Sequence, residues 1–176
     1  VSSIASYILA GYIRDDKRGN ESALKYFLLG SFATAFLLYG VAWVYGMTGS
    51  TNLVEIRAAL EKGVPSMTMV GAAAALMLAG FAFKISAAPF QVWAPDVYQG
   101  APAPVSGFLS AGPKAVAFAV MIRVFQTAFE SISSRWEPVL WIMALATMTI
   151  GNFAALSQSN IKRMLGYSSI AHAGYV

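Results

Sequence analysis

The sequence predicts an all-α fold, a polytopic bundle of transmembrane helices that includes a broken helix, and three observations predict it. Of 176 residues, 57% are hydrophobic and only 11% charged, whereas soluble domains carry about a quarter charged residues. Four apolar runs are long enough to cross a membrane, since spanning the hydrocarbon takes about 20 helical residues. Finally, lysine and proline occur together inside two of these runs, Lys84 with Pro89 and Lys114 with Pro113.

The elements follow in order. Residues 26–47 form the first span and residues 67–93 the second, interrupted in charge only by Lys84. Residues 102–129 and 138–157 form the third and fourth. Residues 1–13 and 161–176 are apolar but too short to cross alone, and they read as helix stubs. Residues 52–62 predict a short surface helix. Nearly all remaining charge lies in the connections RDDKRGNESALK, TGSTNLVEIRAALEKGVPS, APDVYQGAPAPV, ESISSRWEP and SQSNIKR. One partial helical domain over residues 1–176 is the reading. The opening VSSIASYILAGYI, without a charged start or cleavage site, predicts an internal piece of a longer chain.

Orientation follows from basic residues on alternate sides. One side collects Arg14, Lys17, Arg18, Lys25, Lys162 and Arg163, and the other Arg57, Lys62, Arg123 and Arg135. The bias puts the first set, with the WAPDVYQG and SQSNIKR loops, on the cytoplasmic side. The same scatter among apolar runs argues against nucleic acid as a partner and for the lipid bilayer. Without cysteine there are no thiolate metal sites or iron–sulfur clusters, and one histidine cannot build a histidine-rich metal site.

Inside the spans and stubs, away from their ends, only Lys84, Lys114 and His172 can titrate, and an ionisable group at membrane depth costs about 3 kcal/mol or more. Lys84 lies roughly 15 Å of helix from residue 94, and Lys114 roughly 18 Å from residue 102. Successive antiparallel helices would therefore hold both at similar depth, facing one polar layer. Pro89 and Pro113 cannot donate to the carbonyls of Ile85 and Leu109, so each lysine has an unpaired acceptor and a kink or break nearby. Ser106, Ser110 and Lys114 recur every four residues and share a face.

Plainer readings exist for each feature. A membrane lysine can serve as a structural plug bonded to carbonyls. His172, with Ser168 and Tyr175 near it, reads equally as a helix–helix contact or a proton carrier. Glu21 and Lys25 form a favourable surface pair at i, i+4, Lys162 and Arg163 anchor a helix end, and Asp96 fixes a turn. Against these stands the chemistry of buried amines. Burial works against their charge and a nearby carboxylate works for it, so moving a counter-charge loads or unloads a proton.

The run GFAFKISAAPFQVWAPDVYQGAPAPVSGFLSAGPKAVAF, with ESALKYFLLGS before it and GNFAALSQSNIKRMLGYSSIAHAGY after it, resembles the subunit N family of proton-translocating NADH-quinone oxidoreductase, antiporter-like subunits of the respiratory complex I membrane arm. The resemblance covers essentially the whole chain. It implies an antiporter-like bundle of about fourteen helices in the full subunit, with inverted repeats each holding a broken helix. It also implies proton-transfer roles for Lys84, Lys114 and His172, and a glutamate partner upstream of Val1. Gln91 stands where many relatives carry histidine. No cofactor or metal is expected on this chain; NADH, FMN, iron–sulfur clusters and quinone are implied on other subunits. Expected partners are other membrane-arm subunits, the bilayer and protons, in a bacterial inner membrane or its organellar equivalent. The alternatives are a subunit of a multisubunit cation/proton antiporter, with which the FK-to-PF spacing is shared, and a structural membrane subunit.

Overall fold

The computed structural model describes residues 2–64 and 66–176. Val1 of the first stub and Pro65 of the second connection lie outside the described residues. The chain forms α1 (Ser2–Ala10), α2 (Lys17–Thr48), α3 (Leu53–Lys62), α4 (Met67–Ile85), α5 (Ala94–Gly100), α6 (Ala103–Ala128), a 3-10 turn (Glu130–Ile132), α7 (Ser133–Leu156) and α8 (Ile161–Ala173). Among the described residues, four helical segments, α2, α4, α6 and the 3-10 turn continued by α7, are long and apolar enough to cross a membrane. Large apolar side chains such as Phe32, Val116 and Trp141 point outward from them, the surface that hydrocarbon requires.

Helix ends follow local chemistry. Asp16 caps α2 by accepting from the Arg18 backbone N–H at 3.0 Å, so α2 starts well before its apolar run and carries Glu21 and Lys25 on its first turns. The helix stops at Gly49, whose positive φ of 69° lets its N–H reach Tyr45 O. Asn52 caps the short α3, and Asn160 caps α8. Hydropathy marks where membrane begins, whereas capping marks where helix begins, and the two differ by several residues here.

Three expectations need correction. The second span is not helical through residue 93: α4 ends at Ile85, Ser86 turns into the left-handed region at φ 60°, and the chain runs irregularly to Trp93. Lys84 therefore sits on the last turn of α4, not roughly 15 Å deep in a continuous helix. The sequence APDVYQG is not a loop but α5, with Pro95 accepted in its first turn. Pro113 breaks nothing, since α6 runs unbroken from Ala103 to Ala128.

The irregular stretch is held by side chains from elsewhere. Ala88 N–H donates to Thr147 Oγ1 of α7 at 2.8 Å, and Trp93 Nε1 donates to Phe83 O at 3.0 Å. Trp93 stacks on Tyr26 of α2 at 4.5 Å, and Tyr7 of α1 meets Tyr26 edge-on at 4.7 Å. Small residues let helices approach. A Cβ on Gly80 would lie 3.1 Å from Ala33 O, and one on Gly151 would lie 2.7 Å from the Ala171 nitrogen, so α2 meets α4, and α7 meets α8, almost backbone to backbone.

Candidate functional site

Lys84 extends from the end of α4 toward α1. Its Nζ donates to Ser3 Oγ at 2.7 Å and stands 5.9 Å above the Tyr7 ring. Beside it Tyr7 Oη is buried with no bond of ordinary geometry and faces the Ser3 and Thr34 hydroxyls, and further along the irregular stretch Gln91 Oε1 is buried without a protein hydrogen-bond partner. Ser86 Oγ, also buried, has no bond of ordinary geometry and faces the Tyr98 hydroxyl. Such groups are the ones that bond to water in a protein interior.

Lys114 lies in the middle of α6 and is 5% exposed. Its Nζ donates to Ser169 O at 3.0 Å and Ser169 Oγ at 2.8 Å, both on α8. It also stands 5.7 Å over the ring of Tyr98 from α5. Tyr98, in turn, donates its hydroxyl to Leu109 O at 3.5 Å, the carbonyl that Pro113 leaves without a helical donor. The proline does create the free acceptor expected from sequence, and a tyrosine from the preceding helix, α5, covers it.

The two ammonium groups are thus engaged by different helices, Lys84 by α1 and Lys114 by α8. Between them run Tyr7, Tyr26, Trp93 and Tyr98, in successive ring contacts of 4.7, 4.5 and 6.0 Å. The expected polar face of α6 is only partly used: Ser106 donates to Tyr98 O at 2.9 Å, while Ser110 bonds back to Gly107 O within its own helix. His172 is exposed, bonds through Nδ1 to Ser168 O at 2.7 Å and meets Tyr175 edge-on at 5.4 Å. Its bond is internal to α8, and it does not join the lysines.

Asp96 corrects another expectation. It does not fix a turn but receives Arg163 at 2.5 Å and Lys25 at 3.1 Å, while Lys25 also pairs with Glu21 at 2.7 Å. The Glu21–Lys25 pair is the exposed i, i+4 pair expected, but Lys25 and Arg163 also reach Asp96 and so tie α2, α5 and α8 together. Lys162 adds a bond to Ala101 O at 2.9 Å. These basic residues share one end of the bundle, as the alternating-side count requires. Burial works against the charge of Asp96, but hydrogen bonds from Arg163 and Lys25 hold its carboxyl below the ordinary value. Among the described residues no three His, Asp or Glu side chains come close enough together to hold a metal ion.

Tyr98, Ser169 and Ser3 were missed in the sequence. A usable signal existed for Tyr98, since the carbonyl freed by Pro113 needs a donor. The partners of the two lysines lie 55 and 81 residues away in sequence, and no local pattern marks them.

A membrane bundle whose span breaks beside a lysine, next to a helix with a buried lysine, is the arrangement that the antiporter-like resemblance implied. The profile of the NADH:quinone oxidoreductase/Mrp antiporter, TM family matches residues 1–176, and the chain belongs to that family. It is 70% identical to NADH-quinone oxidoreductase subunit N 1 of Solibacter usitatus over 100% of its length, and 56% identical to NADH-quinone oxidoreductase subunit N of Trichlorobacter lovleyi over 98%. The chain spans 36% of each of these relatives. Among solved structures, it superposes on a chain of respiratory complex I from Thermus thermophilus with a TM-score of 0.81 at 44% identity, covering 98% of this chain and 36% of that one. It also superposes on the Mrp complex from a Dietzia species with a TM-score of 0.84 at 28% identity, covering 97% of this chain and 32% of that one.

Proposed function

We propose that this chain is the central part of a proton-translocating membrane subunit of NADH-quinone oxidoreductase, in which Lys84 and Lys114 carry protons while quinone is reduced on other subunits. The observation that carries the reading is Lys114: an ammonium group buried in mid-helix and held by a hydroxyl and a carbonyl of one serine, within the membrane family to which the chain belongs. A group so placed costs several kcal/mol, and function is the usual reason for retaining it.

Lys84 occupies the break, where buried hydroxyls can bond water and pass a proton and the Gln91 amide oxygen can only accept a hydrogen bond. The Tyr98 and Ser169 hydroxyls adjoin Lys114; His172, three residues beyond Ser169, touches neither lysine, so its proton-transfer role rests on the family resemblance alone. The chain itself does no redox chemistry in this reading; NADH, FMN, iron–sulfur clusters and quinone belong to other subunits of a multi-pass complex in a bacterial inner membrane. Identities of 56% and 70% to subunit N relatives, against 28% to the Mrp chain, favour this over a cation/proton antiporter.

The test places Lys84→Met, Lys84→Arg and Lys114→Met in the full-length subunit and measures protons moved per electron in assembled complexes. Methionine removes the carrier and arginine keeps a charge that scarcely releases its proton, so all three should lower the ratio. Parental ratios in both methionine variants would make the lysines structural. Sodium-dependent proton flux without NADH would instead support the antiporter.

A further inference from the structure

The seam between α5 and α8 carries a charge cluster that the proposed proton path does not use. One oxygen of Asp96 receives Arg163 and the other receives Lys25, while Arg163 also donates to Gln99 Oε1 at 3.1 Å. The helix they hold, α5, is seven residues long and begins without a side-chain cap. So short a helix has little stability of its own, and its placement comes from what grips it.

On α8, Arg163, Gly166 and Ser169 recur every three residues and line one face. Arg163 holds Asp96 at one end. Gly166 lies against Tyr98, where an added Cβ would come within 3.0 Å of the ring. Ser169 receives Lys114 at the other end. A single helix face therefore joins the ion pair to the buried ammonium.

We infer that Asp96 is a positioning residue: together with Arg163 and Lys25 it sets α5 against α8, and so keeps Tyr98 and Ser169 in register around Lys114. Tyr98 belongs to α5 and Ser169 to α8, so any slip of one helix along the other separates the two contacts of the same ammonium group. The inference rests on Lys114 carrying protons. Transfer steps are sensitive to such slips, with displacements of about 1 Å costing up to about a hundredfold.

The experiment uses the full-length subunit in the whole complex, with assembly checked, and compares Asp96→Asn, Asp96→Glu and the double variant Asp96→Asn/Arg163→Gln. Asp96→Asn should lower coupled proton translocation about tenfold, and Asp96→Glu, which keeps the carboxylate, should restore it to within about twofold. Oxidation of NADH by a soluble acceptor should stay at the parental rate in both. Parental pumping by Asp96→Asn overturns the inference, as does a glutamate variant no better than the asparagine one. If Asp96→Asn does not assemble, the double variant, which leaves no unpaired guanidinium, replaces it, and parental pumping there overturns the inference too. Lys114→Met is measured alongside. Parental pumping by Lys114→Met would overturn the proton-carrying reading itself, whereas an impaired Lys114→Met beside parental Asp96 variants would overturn only the positioning role.

Discussion

Lys84 and Lys114 have similar sequence surroundings, apolar residues with a proline close by, yet they occupy different structures. Pro89 lies in a stretch where the helix has already ended, whereas Pro113 rides inside a continuous α6. The difference comes from who supplies the missing hydrogen bonds. At the first site Thr147 binds the Ala88 N–H of the irregular stretch and Trp93 binds the Phe83 carbonyl in the last turn of α4, so the chain leaves the helix with those groups bonded. At the second, Tyr98 covers the Leu109 carbonyl and the helix persists. The lysines then differ too. Lys84 is half-buried with one hydroxyl partner, and Lys114 is buried with two oxygens from one serine.

The largest expected effect separates the two lysines by position. If Lys84 carries protons as proposed, Lys84→Met should lower coupled proton translocation about a hundredfold, the low end for losing a positioned proton-transfer group, and Lys114→Met should lower it less. Proton uptake by vesicles holding the full complex measures both, and the reverse order would break the comparison. Next comes the support beneath Lys114. Gly151→Ala forces a methyl toward the α8 backbone and should destabilise the α7–α8 seam by about 1–3 kcal/mol, read as a fall in Tm.

Side-chain partners sharpen the contrast further. Ser3→Ala takes from Lys84 its one hydroxyl acceptor, while Ser169→Ala leaves Lys114 the Ser169 carbonyl. The first should therefore impair proton translocation more than the second, and equal losses would argue that the serine hydroxyls, not the number of acceptors, matter.

Smaller effects belong to the charged end of the bundle. Because the carboxyl of Asp96 is held below its ordinary value, its contribution to stability is present above the unfolded value of about 4 and is lost as pH falls through the folded value. The Tm gap between parent and Asp96→Asn should be constant from about pH 5 to 7 and close below about pH 4. The smallest expected change is Glu21→Gln, since Lys25 keeps Asp96 and an exposed pair contributes little. Pumping should stay within about twofold of the parent, and a larger loss in assembled complexes would move Glu21 into the proton path.

Much of this architecture was legible from residues alone. Continuous apolar length identified the four membrane-crossing helices, because crossing hydrocarbon needs a minimum run and tolerates few charges. The two lysines stood out by cost, and Pro113 announced a free carbonyl by its missing N–H. The donor that would reach that carbonyl, the end of α4 at Ser86, and the helical state of APDVYQG were not legible. Each depends on groups from distant parts of the chain: Tyr98 on α5, Thr147 on α7, Arg163 on α8.

Composition and hydropathy thus determined that this chain is a membrane bundle and which ammonium groups lie within it, because transfer from water to lipid acts on each residue independently of its neighbours. Tertiary structure decided which proline ends a helix, what each lysine touches and that Asp96 joins three helices. Hydrogen bonds and ion pairs need a particular partner at a particular distance, and only the folded chain brings residues 3, 84, 98, 114 and 169 close enough to choose.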